Sequence, residues 1–253
     1  MEVTFLGTGT SQGIPVIACQ CEVCVSSDVR DQRLRTSILI SHKGRNISID
    51  SGPDFRQQML RERVTSLDGI VFTHEHKDHI AGLDDVRAFN YMTGEKMDVY
   101  CTKRVELALM REFGYAFDEG SYPGVPRLRV VPIQQDPFSA AGLVFQPIEV
   151  MHMKMPVMGY RVGNFAYITD ANFISGKEKE KLKGLDHLVL NALRREKHPS
   201  HFNLDEAIDL VRELNPGKAY FTHISHQLGR HEDVESALPD NIRLAYDGLK
   251  IAC

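Results

Sequence analysis

Apolar and polar residues alternate at the start of the chain: Val3 and Phe5 in MEVTFLG, Ile38 and Ile40 in TSILIS, and Ile47 to Asp50 in GRNISIDSG. A period of two marks half-buried strands, so the first fifty residues predict a β-meander. Gly69–Phe72 is a short apolar run of the kind that forms a buried strand. Ile80, Leu83, Val86 and Phe89 then recur every three residues, which predicts a helix, and a further helix is expected over Val105–Phe113. FDEGSYPGVPRL is rich in Gly and Pro and predicts a turn-laden crossing. Beyond it the pattern restarts with strands in LRVVPI, GLVFQPIEVMHM, MGYRVG and FAYITDAN, and a charged helix in KEKEKLKG. A strand in HLVLNA, an amphipathic helix in NLDEAIDLVREL and a strand in KAYFTHIS complete it.

Strands followed by helices, twice over, predict two β-sheets packed together with helices outside, an α/β architecture. A chain of 253 residues suits one domain of two similar halves, about 1–125 and 126–253. The least regular stretch is the polar insert near 15–37.

Charge narrows the partners. The net charge of −4 carries no basic excess, so bulk nucleic-acid binding is not expected, and no apolar segment approaches a membrane span. MEVTFLGTGT lacks a secretory pattern, so a cytoplasmic protein is expected. In a reducing compartment Cys19, Cys21 and Cys24, packed within six residues, point to metal before disulfide.

The densest chemistry lies in FTHEHKDHIAG, between a predicted strand and a helix. The residue four after His74 is Asp78, so the H-E-x-x-H zinc-protease pattern fails. The spacing is H-x-H-x-D-H. In an extended loop His74 and His76 project to one side, while Asp78 and His79 face a neighbouring point, which suggests two adjacent metal ions. Imidazole with a minority of carboxylate suits zinc best, with manganese or iron admissible. Further ionisable residues close apolar strands: His152 ends FQPIEVMH, Asp170 ends FAYITD and His223 ends KAYFTH.

With these residues in place, THEHKDH and the three strand ends resemble the metallo-β-lactamase superfamily over nearly the whole chain. The resemblance implies a four-layer αββα sandwich with two divalent ions, zinc or manganese. It places His74, His76 and His152 on one ion and Asp78, His79 and His223 on the other, with Asp170 bridging; Asp78 also counts among the catalytic residues. Asp50 matches an early aspartate that orients ligands without binding metal.

The opening FLGTGTSQGIPVIACQCEVC, together with THISHQLG, is similar to the PhnP-like cyclic phosphodiesterases. In that subfamily three cysteines and a histidine hold a structural zinc, which implies Cys19, Cys21, Cys24 and His226 here, pinning the insert. His201 in EKHPSHFNLDEAIDL matches a catalytic histidine that precedes a helix. The function implied is a dinuclear metal-dependent phosphodiesterase, a hydrolase attacking a small, cyclic phosphodiester through a metal-bridging hydroxide. His201 would protonate the leaving oxygen or stabilise phosphoryl charge.

Rival readings share parts of the pattern. A tRNA 3′-processing nuclease shares FLGTG and a histidine like His201, but no basic, Gly-rich arm is visible. A carbonyl-ester or lactone hydrolase would use the same hydroxide, and a PqqB-like carrier the same fold without turnover. Arg33, Arg35 and Arg56 receive no role, and a homodimer is the default assembly.

Overall fold

The computed structural model describes residues 1–118, 122 and 124–253. Among them, strands β1 (Glu2–Gly7), β2 (Ser37–His42), β3 (Arg45–Ile49), β4 (Gly69–Val71), β5 (Met97–Cys101) and β6 (Leu128–Pro132) lie side by side in that order. The first three form the expected antiparallel meander, and β3 to β6 run parallel. The second sheet contains β7 (Phe138–Ala140), β8 (Leu143–His152), β9 (Met155–Val162), β10 (Phe165–Tyr167), β11 (Phe173–Ile174), β12 (His187–Asn191), β13 (Lys218–Thr222) and β14 (Ile242–Leu244). Strand β15 (Lys250–Ala252) crosses back to pair with β1.

The alternation along each strand sorts side chains into layers. Val3, Phe5, Ile38, Ile40 and Ile47 meet Phe145, Tyr160, Tyr167 and Val189 between the sheets. The opposite face of the first sheet packs Leu39, Ile70 and Val99 against helices α1 (Phe55–Arg61), α3 (Arg87–Thr93) and α4 (Lys103–Glu112), with the short α2 (Lys77–Ile80) at its edge. The outer face of the second sheet, through Leu188, Leu190, Ala219 and Phe221, buries against α6 (Leu204–Leu214), with α5 (Gly176–Glu180) and α7 (His231–Ser236) alongside. The result is helix, sheet, sheet, helix: an αββα sandwich.

The helix expected through Ile80–Phe89 is a correction. It is broken into α2, a 3-10 turn at Leu83–Val86, and α3. Its three-residue apolar spacing fits the 3.0 residues per turn of a 3-10 helix. The break falls at Gly82, whose N–H donates to Ser51 O at 2.8 Å. A Cβ at Gly82 would lie 2.0 Å from Gly52 O, and one at Gly52 would lie 2.1 Å from Asp78 O. Two backbones thus touch where the loop after β3 meets the loop after β4. Helix α6 follows its sequence closely, because Asn203 and Glu206 form a capping box and Asn215 ends it in a left-handed conformation. Residues 119–121 and 123 of the turn-rich FDEGSYPGVPRL lie outside the described residues.

Gly82→Ala is expected to cost about 1–3 kcal/mol or more through backbone overlap, read as a lower urea midpoint. Gly176→Ala, where a Cβ meets nothing within 4 Å, should stay within about 0.5 kcal/mol of wild type.

Candidate metal centre

Asp50 and His223 directly follow the ends of β3 and β13, Asp170 stands three residues beyond β10, and each has a left-handed backbone, with φ of 66°, 55° and 55° for Asp50, Asp170 and His223. Non-glycine residues seldom adopt this region, and doing so costs about 1–3 kcal/mol each. The turn swings each side chain off the strand line and into the end of the sandwich. At Asp170 the conformation is held by Asn191, fully buried, whose amide accepts from Ala171 N at 2.8 Å and donates to Ala171 O at 2.9 Å.

The histidine loop is fixed from both sheets. Tyr160 Oη donates to Phe72 O at 2.6 Å, and Met158 N–H to Thr73 O at 3.1 Å. Asp50 accepts from Thr73 N and from Thr73 Oγ1, both at 2.8 Å, and lies 2.7 Å from His79 Nδ1. Having given its proton to Asp50, Thr73 Oγ1 is the acceptor for His74 Nδ1 at 3.0 Å. His152 Nδ1 likewise donates to Ser200 O at 2.8 Å. His74 and His152 therefore carry their proton on the outer nitrogen and turn Nε2 inward as a lone pair. His74 Nε2 is buried and has no hydrogen-bond partner.

These side chains converge. One ligand atom each from Asp78, His79, Asp170 and His223 lie within 4.8 Å of one another, as do those of His152, Asp170 and His201. The ring of His76, an exposed residue, lies 4.6 Å from that of His74 and 5.2 Å from that of His152. His201 was expected beside the ligands as an acid or as a stabiliser of phosphoryl charge. Its Nε2 stands 3.0 Å from Asp170 Oδ1, which gives it ligand-like placement as well.

Electrostatics suit a cation. Burial disfavours an imidazolium at His79, but Asp78, Asp170 and Asp50 outweigh it and raise its affinity for a proton well above the usual value. Burial alone would raise Asp170, yet His223 and His79 hold it well below the usual carboxylate range. Burial pushes His74 well below its ordinary value and His223 down to about 4, leaving both neutral at pH 7, the form that binds metal. Buried carboxylates gathered around His79, with neutral His74 and His223 beside them and an orphaned Nε2 on His74, fit divalent ions.

A second cluster lies in the insert. His226 Nδ1 is 3.4, 3.2 and 3.6 Å from the sulfurs of Cys19, Cys21 and Cys24. The Cys24 backbone and His226 draw the Cys21 thiol down to about 6, while burial pushes Cys24 up to about 11. His226 lies three residues beyond His223, and Ile224 between them pairs with Thr8 and Thr10. Arg33 is buried and ties the insert down, donating to Thr8 Oγ1 at 2.8 Å and Ala245 O at 2.5 Å. Arg35 pairs with Asp54 at 3.1 Å. Sequence reasoning missed Thr73, Asn191 and Ser200, because small polar residues beside strands carry no distinguishing spacing.

Comparison with known proteins agrees with this geometry. Residues 45–224 match the family described as "Beta-lactamase superfamily domain". A crystal structure of a new diphosphatase from the PhnP family superposes with a TM-score of 0.93 at 41% identity, covering 100% of this chain and 97% of that one. Zinc-bound PqqB from Methylobacterium extorquens shares the fold, with a TM-score of 0.82 at 19% identity and full coverage of both chains, 100% each. An octanoyltransferase of Porphyromonas gingivalis (strain ATCC BAA-308 / W83) is 39% identical over 99% of this chain and 51% of its own length, so the chain spans about half of that curated relative. The chain therefore belongs to the metallo-β-lactamase superfamily and is PhnP-like.

Proposed function

We propose that this protein is a dinuclear metal-dependent phosphodiesterase that hydrolyses a P–O bond in a small phosphodiester, and that it carries a separate structural zinc. The observation that carries the reading is the convergence of His74, His76, His79, His152, His223, Asp78 and Asp170 at one end of the sandwich, with His201 set against Asp170. Similarity to a PhnP-family diphosphatase supports attack at phosphorus. A diphosphate linkage and a phosphodiester are opened by the same in-line displacement.

Two divalent ions, zinc or manganese, held by His74, His76 and His152 on one side and by Asp78, His79 and His223 on the other, with Asp170 shared, would supply activated water near pH 7 and a clamp for phosphoryl oxygens. The chain's own residues do the rest. Asp50 and Thr73 hold the His74 and His79 rings so that Nε2 faces inward. Ser200 O does the same for His152. His201, only 8% exposed, keeps bulk water from the site and holds a proton at Nε2 that it delivers to the departing oxygen. Cys19, Cys21, Cys24 and His226 complete a closed Cys3His set, the donor chemistry of a structural zinc. A zinc held by these four residues would fasten the insert to the loop bearing His223.

Metal-loaded protein is expected to turn over bis(p-nitrophenyl) phosphate, and chelation or His76→Ala to abolish this; full activity in metal-free protein would remove the reading. For His201→Ala, metal content should be retained and turnover fall about 10²–10⁴-fold. Loss of metal in that variant would instead make His201 a ligand. Cys21→Ala should lose one zinc per chain and melt at a lower temperature while keeping a competent dinuclear site; an unchanged zinc count would reject the structural zinc.

A further inference from the structure

The histidines at this site are not all oriented alike. His74 and His152 carry their proton on Nδ1, against Thr73 Oγ1 and Ser200 O, and turn a bare Nε2 inward. His201 has the reverse arrangement. Its Nε2 lies 3.0 Å from Asp170 Oδ1, an acceptor, so the inward nitrogen is the one bearing hydrogen. In a neutral ring Nδ1 must then accept. Its partner there is Ser200 Oγ, at 2.9 Å. The same hydroxyl lies 3.1 Å from His198 Nδ1, and the two Nδ1 atoms are 3.2 Å apart.

His198 Nδ1 accepts from the Ser200 backbone N–H at 3.4 Å, so it has no hydrogen to give the hydroxyl. Ser200 Oγ–H is then the hydrogen available to His201 Nδ1, and His201 Nε2–H points into the site. We propose that Ser200 is a positioning residue whose hydroxyl selects the Nε2–H tautomer of His201, while its backbone carbonyl holds His152 in the opposite tautomer. One residue, 6% exposed, thereby separates a ring that lends a lone pair from a ring that holds a proton. The division of labour is exact in atoms: the side chain serves His201 and the main chain serves His152.

The inference rests on the phosphodiesterase reading for its purpose, but its test does not rest on turnover alone. Zinc-loaded protein with 15N-labelled histidine is observed by long-range 1H–15N correlation, and the His201 signals are assigned by their loss in His201→Ala. The wild-type ring is expected as Nε2–H, and Ser200→Ala is expected to shift it toward Nδ1–H or a mixture. Zinc content should not change in that variant, because the Ser200 carbonyl remains for His152. Turnover of bis(p-nitrophenyl) phosphate should fall about 10–100-fold, the range for losing an orienting partner, with the loss in kcat and not in KM. Ser200→Thr, which keeps the hydroxyl, should restore both tautomer and turnover.

A wild-type His201 found as Nδ1–H overturns the inference, because Ser200 would then be an acceptor and Nε2 free to bind metal. So does a Ser200→Ala protein whose tautomer or kcat is unchanged. Absence of turnover in wild-type protein removes the phosphodiesterase reading instead, and leaves the tautomer measurement to decide the role of Ser200.

Discussion

Carboxylates buried within reach of one another repel, and each loses its hydration, so they stay together only if positive charge is placed among them. Asp50, Asp78 and Asp170 meet this condition around His79, and the end of the sandwich is organised about it. The two sheets bring strand ends from distant parts of the chain to one point, and left-handed turns at Asp50, Asp170 and His223 aim the side chains. The strain of those turns is tolerated because the bond from Asp50 N–H to Val71 O, the Asn191 bonds to Ala171 and the bond from Ile224 N–H to Thr8 O hold the backbone on either side.

Much of this was legible in the residues. Alternation in MEVTFLG and TSILIS gave the meander because one face of each strand is apolar and the other meets a different layer. The cluster of histidines and carboxylates was visible because histidine is otherwise sparse, and because ionisable residues at the ends of apolar strands are hard to explain as packing. The cysteines declared themselves by proximity, and the structure brings His226 to them from 202 to 207 residues away.

What escaped has physical reasons. Helix α1 buries Phe55, Gln58 and Met59, and a buried glutamine at the centre of its inner face masks the apolar stripe. Gln58 is there to donate to Arg35 O at 2.9 Å, a contact no pattern announces. The broken helix after His79 was misread because three-residue spacing was taken as part of a 3.6-residue repeat. Ser200 and Asn191 act through a few hydrogen bonds to backbone or ring, and their identities are common in any loop. His231, five residues beyond His226, sits elsewhere: its N–H donates to Asp31 Oδ1 at 2.7 Å, and its Nδ1 lies 3.0 Å from Arg33 Nη2.

The interlocking of Gly52 with Gly82 has a consequence for how such a protein can change. The ligand-bearing loops are registered to each other by main-chain atoms, which substitutions of neighbouring side chains leave in place. The exposed Met153–Lys154 turn after His152 lies outside that registration. Descendants of this chain can therefore trade one selectivity for another by rewriting the rim, while the reactive core is inherited unaltered.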